Sequence, residues 1–402
     1  MTLELNQVAR QVQEMAASVA ARQKRLIARL EELRDLLHHY AQPDEALHAK
    51  VRRAKDFGGT IAEPGNEPLN AVIPAPSLLS RVCVIAADGS QVHPDRHAAA
   101  LYYVINVGAI LYRYGSGEAP VTVQRATLCY EEDEDETSAD EQPFLVASVD
   151  ARRDLEEAKL LAEQAEAERA VAGGDLDVPI VALADGPLML WRTLRDPKGQ
   201  REQVQQHAAL LARLQTVDAP VAGYIDRPGS SLVVRLLRLA RLDKPAEQIE
   251  DREIGDAGRD APPDRLLFRF LKPGERSAVF YSTSNINEQY AEEGQRIAFF
   301  YMNVGGSGDG QIGRVEVPQW VAEDRAKIGL VQAVLYDQSQ VTGGYPYVLA
   351  RAHELAVITA PERAKLEEMV NIALLGHDLT ALPSEKARLK RQFGGRKGRY
   401  TR

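Results

Sequence analysis

Apolar positions over the first forty residues recur at helical spacing. Leu5, Val8, Val12, Met15, Val19, Leu26, Leu30, Leu33 and Leu37 follow one another at steps of three, four and seven, with Gln, Arg, Lys and Glu on the other faces. This predicts one long helix over 3–40 and a second, short helix from about residue 44 to Gly58–Gly59. A stripe of that length is either an arm packed on the body of the protein or a dimerising helix, and residues 1–62 are taken as an N-terminal helical arm. After the Pro/Gly-rich connector 63–76 the pattern changes to short apolar runs. Residues 81–87 (RVCVIAA) predict a buried strand, and 99–114 and 121–130, separated by GSGEAP, complete a three-stranded meander. An acidic loop follows, then a helix over 148–172 ending at Gly173–Gly174, then a strand at 179–184 (PIVALA). Helices at 188–217 and 229–242 flank a strand at 221–225, and the polar stretch 249–264 is expected to be a disordered loop. Strands are expected near 266–271, 277–282, 296–303 and 312–317, and helices at 323–337 and 346–355. The main domain is placed at 77–360, with 361–402 as a C-terminal helix and basic tail.

Composition narrows the class. With 402 residues, 45% hydrophobic and 27% charged, the chain is ordinary globular material with ample length for a large core. The net charge of −9 speaks at first against nucleic acid, but it averages local extremes. Residues 131–141 (EEDEDETSADE) hold eight acids, and residues 386–402 hold eight Lys/Arg and no acid. Two cysteines, Cys83 and Cys129, make neither a disulfide framework nor a zinc site. No apolar run approaches the ~20 residues needed to span a bilayer, and the first residues lack the charged-then-apolar plan of a secretory signal. A soluble, cytoplasmic protein is expected.

The chemistry lies in where acids fall on the predicted elements. Asp88 follows the first strand (IAADGSQ), and Asp185 ends the fourth (LADGPL). The helix between them opens with DARRDLEEAKLLAE. Strand–strand–strand–helix–strand with acids at the first strand end, on the helix and at the fourth strand end is the plan of ribonuclease-H-like nucleases. It implies an α/β fold with a mixed sheet, in which strands one and four lie side by side and parallel. The helix acid is taken as Glu156, with Glu157 and Glu163 as alternatives. Clustered carboxylates repel one another unless a cation neutralises them, and hard oxygen ligands suit Mg²⁺ or Mn²⁺. Two such ions ~4 Å apart clamp a phosphodiester and activate water without a protein nucleophile. The bland reading stands beside this: Asp-Gly is a common turn pair, and a Glu on an Arg/Glu-rich helix commonly faces solvent. Downstream, GGYPYVLARAHELA turns sharply into a helix that carries His353.

These segments together resemble the NurA family of nucleases, which work with the HerA translocase in DNA end processing. The resemblance rests on ADGSQ with PDRH (87–97), ARRDLEE (151–157), LADGPL (183–188), RVEVPQWV (314–321) and GYPYVLARAHELA (344–356). It implies a ribonuclease-H-like core, a homodimer, and Mn²⁺- or Mg²⁺-dependent DNA cleavage that includes 5′–3′ exonuclease action and single-strand endonuclease action. Carried onto matching positions, it assigns metal binding and catalysis to Asp88, Glu156, Asp185 and His353, with Glu163 and Glu166 also open for the helix acid. Arg152, Arg153 and Tyr345 are candidate DNA contacts; the two arginines also fit i,i+4 pairs with Glu156 and Glu157. Tyr224, Asp226, His93 and His97 are secondary candidates. The glycine-rich stretch 304–313 lacks the Gly-Lys-Ser/Thr of a nucleotide-binding loop, so movement along DNA falls to a HerA-type hexameric ATPase. The basic tail is read as a non-specific DNA contact.

Two other readings remain at this level. Actin-like and sugar-kinase folds share the strand plan, although their first motif is usually Asp-x-Gly followed by Thr/Ser, unlike ADGSQ; ATP turnover without DNA discriminates. A non-catalytic dimeric adaptor for a ring translocase is the third, and a metal titration discriminates, since such an adaptor needs no cation site at Asp88.

Overall fold

A computed structural model describes residues 5–95, 100–130, 146–171, 178–190, 197–306 and 310–377. The acidic stretch 131–141, the basic tail and His97 lie outside these residues. The strands in chain order are β1 (Ala62–Pro64), β2 (Cys83–Val92), β3 (Tyr102–Arg113), β4 (Val121–Tyr130), β5 (Ile180–Asp185), β6 (Val221–Ile225), β7 (Phe280–Ser282), β8 (Ile297–Asn303) and β9 (Ile312–Pro318). The helices are α1 (Leu5–His39), α2 (Glu45–Asp56), α3 (Val146–Val171), α4 (Pro197–Thr216), α5 (Leu232–Ala240), α6 (Asp251–Gly258), α7 (Asp264–Leu267), α8 (Asn285–Glu292), α9 (Gln319–Ala322), α10 (Arg325–Thr342), α11 (Tyr347–Ala356) and α12 (Ala360–Leu375). The chain divides into two compact units, one of residues 79–185, 190–221 and 347–402, the other of residues 1–78, 186–189 and 222–346.

In the first unit the strands lie in the order β5-β2-β3-β4. β2 pairs parallel with β5, while β2–β3 and β3–β4 are antiparallel. This is the predicted ribonuclease-H-like arrangement: a meander, a crossover helix, and a fourth strand returning beside the first. Residues 82–87 have no solvent exposure, which explains why this segment reads as a continuous apolar run rather than an alternating one. α3 and α11 lie on opposite faces of these strands. A Cβ on Gly89 would run into Glu157 and Arg153 of α3, whereas a Cβ on Gly108, which pairs with Asp88, would run into Leu355 and Ala356 of α11. Neighbouring residues of a strand point to opposite faces, so Asp88 is on the α11 face and Gly89 on the α3 face.

In the second unit the order is β1-β7-β8-β9-β6, antiparallel throughout. Its core gathers Leu30, Leu33 and Leu37 of α1, Leu47 and Val51 of α2, the apolar face of α5, and the rings of Phe268, Phe280, Phe299 and Tyr301. The long N-terminal helix is therefore packed at its C-terminal end, while Val12, Met15 and Val19 are exposed. A polar network is sealed inside this core. The Asp264 carboxylate accepts from the Val233 and Val234 amides and the Tyr301 hydroxyl at 3.1, 2.9 and 2.8 Å, and burial raises its pKa to about 6. Arg314 and Glu316 form a buried ion pair, and Glu316 also accepts from the Met189 amide at 3.0 Å.

Two sequence-based expectations fail in this unit. Residues 249–264 are not a disordered loop: a capping box between Glu250 and Glu253 starts α6, and Ile254 and Ala257, three apart, are buried. Residues 266–271 are not a strand. α7 is followed by a 3₁₀ turn at Phe268–Phe270, and the adjacent Leu267 and Phe268 are both fully buried, a pattern that alternation cannot satisfy. The short strand β1 and the helix α8 come in addition to the elements expected; α8 is bounded by Ser284, which accepts from the Asn287 amide, and by Gly294 in the left-handed region. Among the described residues no helix is long and apolar enough to cross a membrane.

Candidate metal centre

The parallel register sets two carboxylates side by side. Ala87 of β2 is level with Ala184 of β5, and Asp88 and Asp185 are the next residues on each strand. β5 ends at Asp185, but β2 runs on to Val92 paired with β3. Asp88 thus does not close its strand, as the sequence suggested; it sits where β2 loses its parallel neighbour. One oxygen of Asp88, Oδ1, accepts from the Gly89 amide at 2.8 Å. The other, Oδ2, lies 2.7 Å from Nδ1 of His353, in the last turn of α11. Asp88, Asp185 and His353 each offer a ligand atom, and these atoms all fall within 4.8 Å of one another. The Asp88 side chain is only 12% exposed, the His353 ring 61%, so the cluster is closed from below and open at the imidazole.

The acid of α3 whose charge interacts with this cluster is Glu157. It lies on the buried stripe of α3 with Ala158, Leu161 and Ala165, and its carboxylate approaches the backbone at Gly89, where any side chain would collide with Oε1. Burial pushes its pKa well above the usual carboxylate range. The Arg153 guanidinium, 3.0 Å away, opposes that shift, while the charges of Asp154, Asp88 and Asp185 add to it. Glu156, the residue favoured by the sequence pattern, points away: its carboxylate is 3.7 Å from Lys159, and it lines a groove between α3 and α4 with Arg152 and Gln203. Glu163 pairs with Arg125 at 2.7 Å, and Glu166 forms two hydrogen bonds with Arg213 at 2.8 and 2.7 Å. The sequence carried no signal that separates the two, since Leu160 and Leu161, each apolar and buried, lie one helical turn after Glu156 and Glu157 respectively.

The remaining candidates separate. Arg153 is beside the cluster, bound to Glu157, Asp154 and Gln91. Arg152 donates to the Tyr103 hydroxyl at 2.8 Å on the groove side of α3. His93 is 3.6 Å from Asp150, which also accepts from Gln91. Tyr224 and Tyr345 meet edge to face at 5.6 Å in the second unit, and Asp226 accepts from Gln311 there at 3.3 Å.

This donor set fits a divalent cation. Octahedral ligand atoms about 2.1 Å from an ion lie about 3 Å from one another, comparable to the separation of Asp88 Oδ2 and His353 Nδ1. Two carboxylates and a buried third acid with a raised pKa make a region that gains from a positive charge. Asp88, Asp185 and His353 would hold the ion. Carboxylates suit hard divalent cations such as Mg²⁺ and Mn²⁺.

A model of the NurA domain matches residues 83–358. The chain belongs to the NurA family. The matched span includes Asp88, Asp185 and His353, and Glu157 as well. No curated protein sequence matches the chain. Among solved structures it is similar to the NurA nuclease from Sulfolobus solfataricus, at 15% identity and a TM-score of 0.45 over 88% of this chain and 98% of that one. It is also similar to the catalytic domain of human Endonuclease V, at 14% identity and a TM-score of 0.33 over 83% of this chain and 99% of that one. For Drosophila Piwi the values are 10% and 0.28, over 68% of this chain and 29% of Piwi.

The buried acid also gives the metal-free NurA domain a pH signature. Glu157 holds its proton more tightly folded than unfolded, so its contribution to stability is full below the ordinary carboxylate pKa of 4.5 and is lost as pH rises through the raised value. Glu157→Gln removes this slope. In chelator, the variant is expected to unfold at a higher temperature than the parent at pH 8, with the gap closing toward pH 5. Thermal scans at the two pH values check this, and parallel curves would remove the buried charge from the account.

Proposed function

We propose that this NurA-family chain is a metal-dependent DNA nuclease, a phosphodiester hydrolase that degrades linear DNA from 5′ ends and cuts single strands internally, in end resection and double-strand break repair. The observation that carries the reading is the convergence of Asp88, Asp185 and His353 inside a NurA domain. Mn²⁺, or Mg²⁺ in its place, is the proposed cofactor, with two ions per site. A divalent cation there supplies Lewis acidity toward a phosphoryl oxygen. The protein supplies the rest. Asp88 is fixed by the Gly89 amide so that Oδ2 faces His353. The open imidazole leaves the side from which a phosphodiester approaches, and Arg153 brings a cation next to Glu157. Arg152, Arg153 and Tyr345 are proposed to contact DNA.

A homodimer and a HerA-type hexameric ATPase complete the proposal. Exposed Val12, Met15 and Val19 on α1, and Met369, Ile372 and Leu375 on α12, support self-association. The sequence has no nucleotide-binding loop of its own, which supports a separate motor. A direct test compares 5′-labelled linear duplex with covalently closed circular duplex in Mn²⁺. Loss of label from the linear form with the circle intact is expected. Equal digestion of both would remove end dependence, and digestion of neither, single-stranded DNA included, would remove the nuclease reading.

A further inference from the structure

The last turn of α11 is held by side chains from three successive strands. Asn106 of β3 donates through Nδ2 to the Ala356 carbonyl at 2.7 Å and to the Leu355 carbonyl at 3.4 Å. Gln124 of β4 donates to the Leu355 carbonyl at 2.8 Å, and the Ser90 hydroxyl of β2 donates to the Ala356 carbonyl. The register explains how the three converge. Ser90 pairs with Asn106, Gln124 pairs with Gly108, and Gly108 pairs with Asp88. Directly paired residues share a face, and so do residues two apart on one strand, so Asp88, Ser90, Asn106, Gly108 and Gln124 all stand on the α11 face. Gly108 lets the helix end rest on the strand backbone: a Cβ there would come within 2.6 Å of Leu355 Cβ and 2.8 Å of the Ala356 amide.

The final carbonyls of a helix have no partner within it. Water satisfies them at an ordinary exposed end; here three side chains of the sheet do so, and they bind the helix terminus at one height and rotation. His353 is two residues before Leu355, and its Nδ1 is 2.7 Å from Asp88 Oδ2. Asp88 belongs to the same strand as Ser90, so the clamp and the cluster share one rigid frame. Groups behind a metal ligand commonly change affinity or activity by about 10–100-fold when removed, because they set the ligand's direction.

We propose that Ser90, Asn106 and Gln124 are positioning residues that clamp the end of α11 and thereby set His353 against Asp88 for divalent-cation binding. The proposal rests on the reading of Asp88, Asp185 and His353 as the cation site. The test is Mn²⁺ binding by calorimetry on the full chain, with thermal unfolding as a check of folding. Asn106→Ala is expected to weaken binding about tenfold, and Gln124→Ala, at an exposed position, to weaken it by a smaller factor while remaining folded. Ser90→Thr, which keeps the hydroxyl, is expected to bind as the parent does. The deciding comparison is the double variant with His353→Ala. A clamp acting through His353 leaves nothing for Asn106→Ala to remove once the imidazole is gone, so the double variant binds as His353→Ala alone. Undiminished loss in that background, or parental affinity in both Asn106→Ala and Gln124→Ala, would overturn the clamp. Mn²⁺ binding that is absent in the parent or indifferent to Asp88→Ala would overturn the site reading instead.

Discussion

Asp88→Ala and Asp185→Ala are each expected to lower Mn²⁺-dependent hydrolysis of linear DNA by about 10³-fold or more. The size follows from what a bound cation does for a transferring phosphoryl group, several kcal/mol of charge stabilisation, at about 1.4 kcal/mol per decade of rate. The two acids are adjacent on parallel strands, and each contributes an atom to one cluster. Removal of either leaves a pair that holds the ion weakly. Folding should survive, because Asp88 and Asp185 lie beyond the fully buried apolar stretches 82–87 and 180–183. Steady-state rates on end-labelled DNA, with circular dichroism as the check of folding, measure this. Retention of parental activity in either variant would remove that residue from the site.

Glu157→Gln and Glu156→Gln form the second decisive pair. Glu157→Gln is expected to reduce the same activity about 10²-fold, on the scale of one to two decades lost when a group supporting a metal is neutralised. Glu156→Gln is expected to stay within about twofold, the ordinary outcome for a surface substitution away from a site. The two residues are neighbours in sequence and opposite in environment. Glu157 is buried beside Arg153 and interacts with the charges of Asp88 and Asp185, whereas Glu156 pairs with Lys159 at the edge of a groove. Parallel titrations of rate against Mn²⁺ separate a loss of cation affinity from a loss of turnover. A large effect at Glu156 with none at Glu157 would reverse the helix register assigned here.

The same pair of residues marks where the sequence ceased to be legible. The strands themselves and the two Asp-Gly motifs were readable because continuous apolar runs and turn residues act locally, while the parallel return of β5 beside β2 followed from the ribonuclease-H-like plan those elements match. The helix acid was not readable, since in DARRDLEE every position from 152 to 157 is polar except Leu155, and polarity alone does not say which side faces the sheet. His353 was visible in its motif, but its meeting with Asp88 joins residues 265 positions apart and depends on α11 returning to the β2–β3 face. Gly89 reads as half of a turn pair in the sequence, and Gly108 falls inside a predicted strand; in the fold each is a gap that admits a helix. Residues 249–264 misled for a different reason. Their charges dominate the composition, while a capping box and two buried residues, Ile254 and Ala257, are sufficient to make the helix.

The direct measurement of the central claim is an anomalous difference map from crystals grown with Mn²⁺. The expected result is density bridging Asp88 Oδ2, a carboxylate oxygen of Asp185 and Nδ1 of His353, absent in Asp88→Ala crystals. Mn²⁺ bound elsewhere in the chain, or no bound Mn²⁺ at concentrations that support DNA hydrolysis, would contradict it.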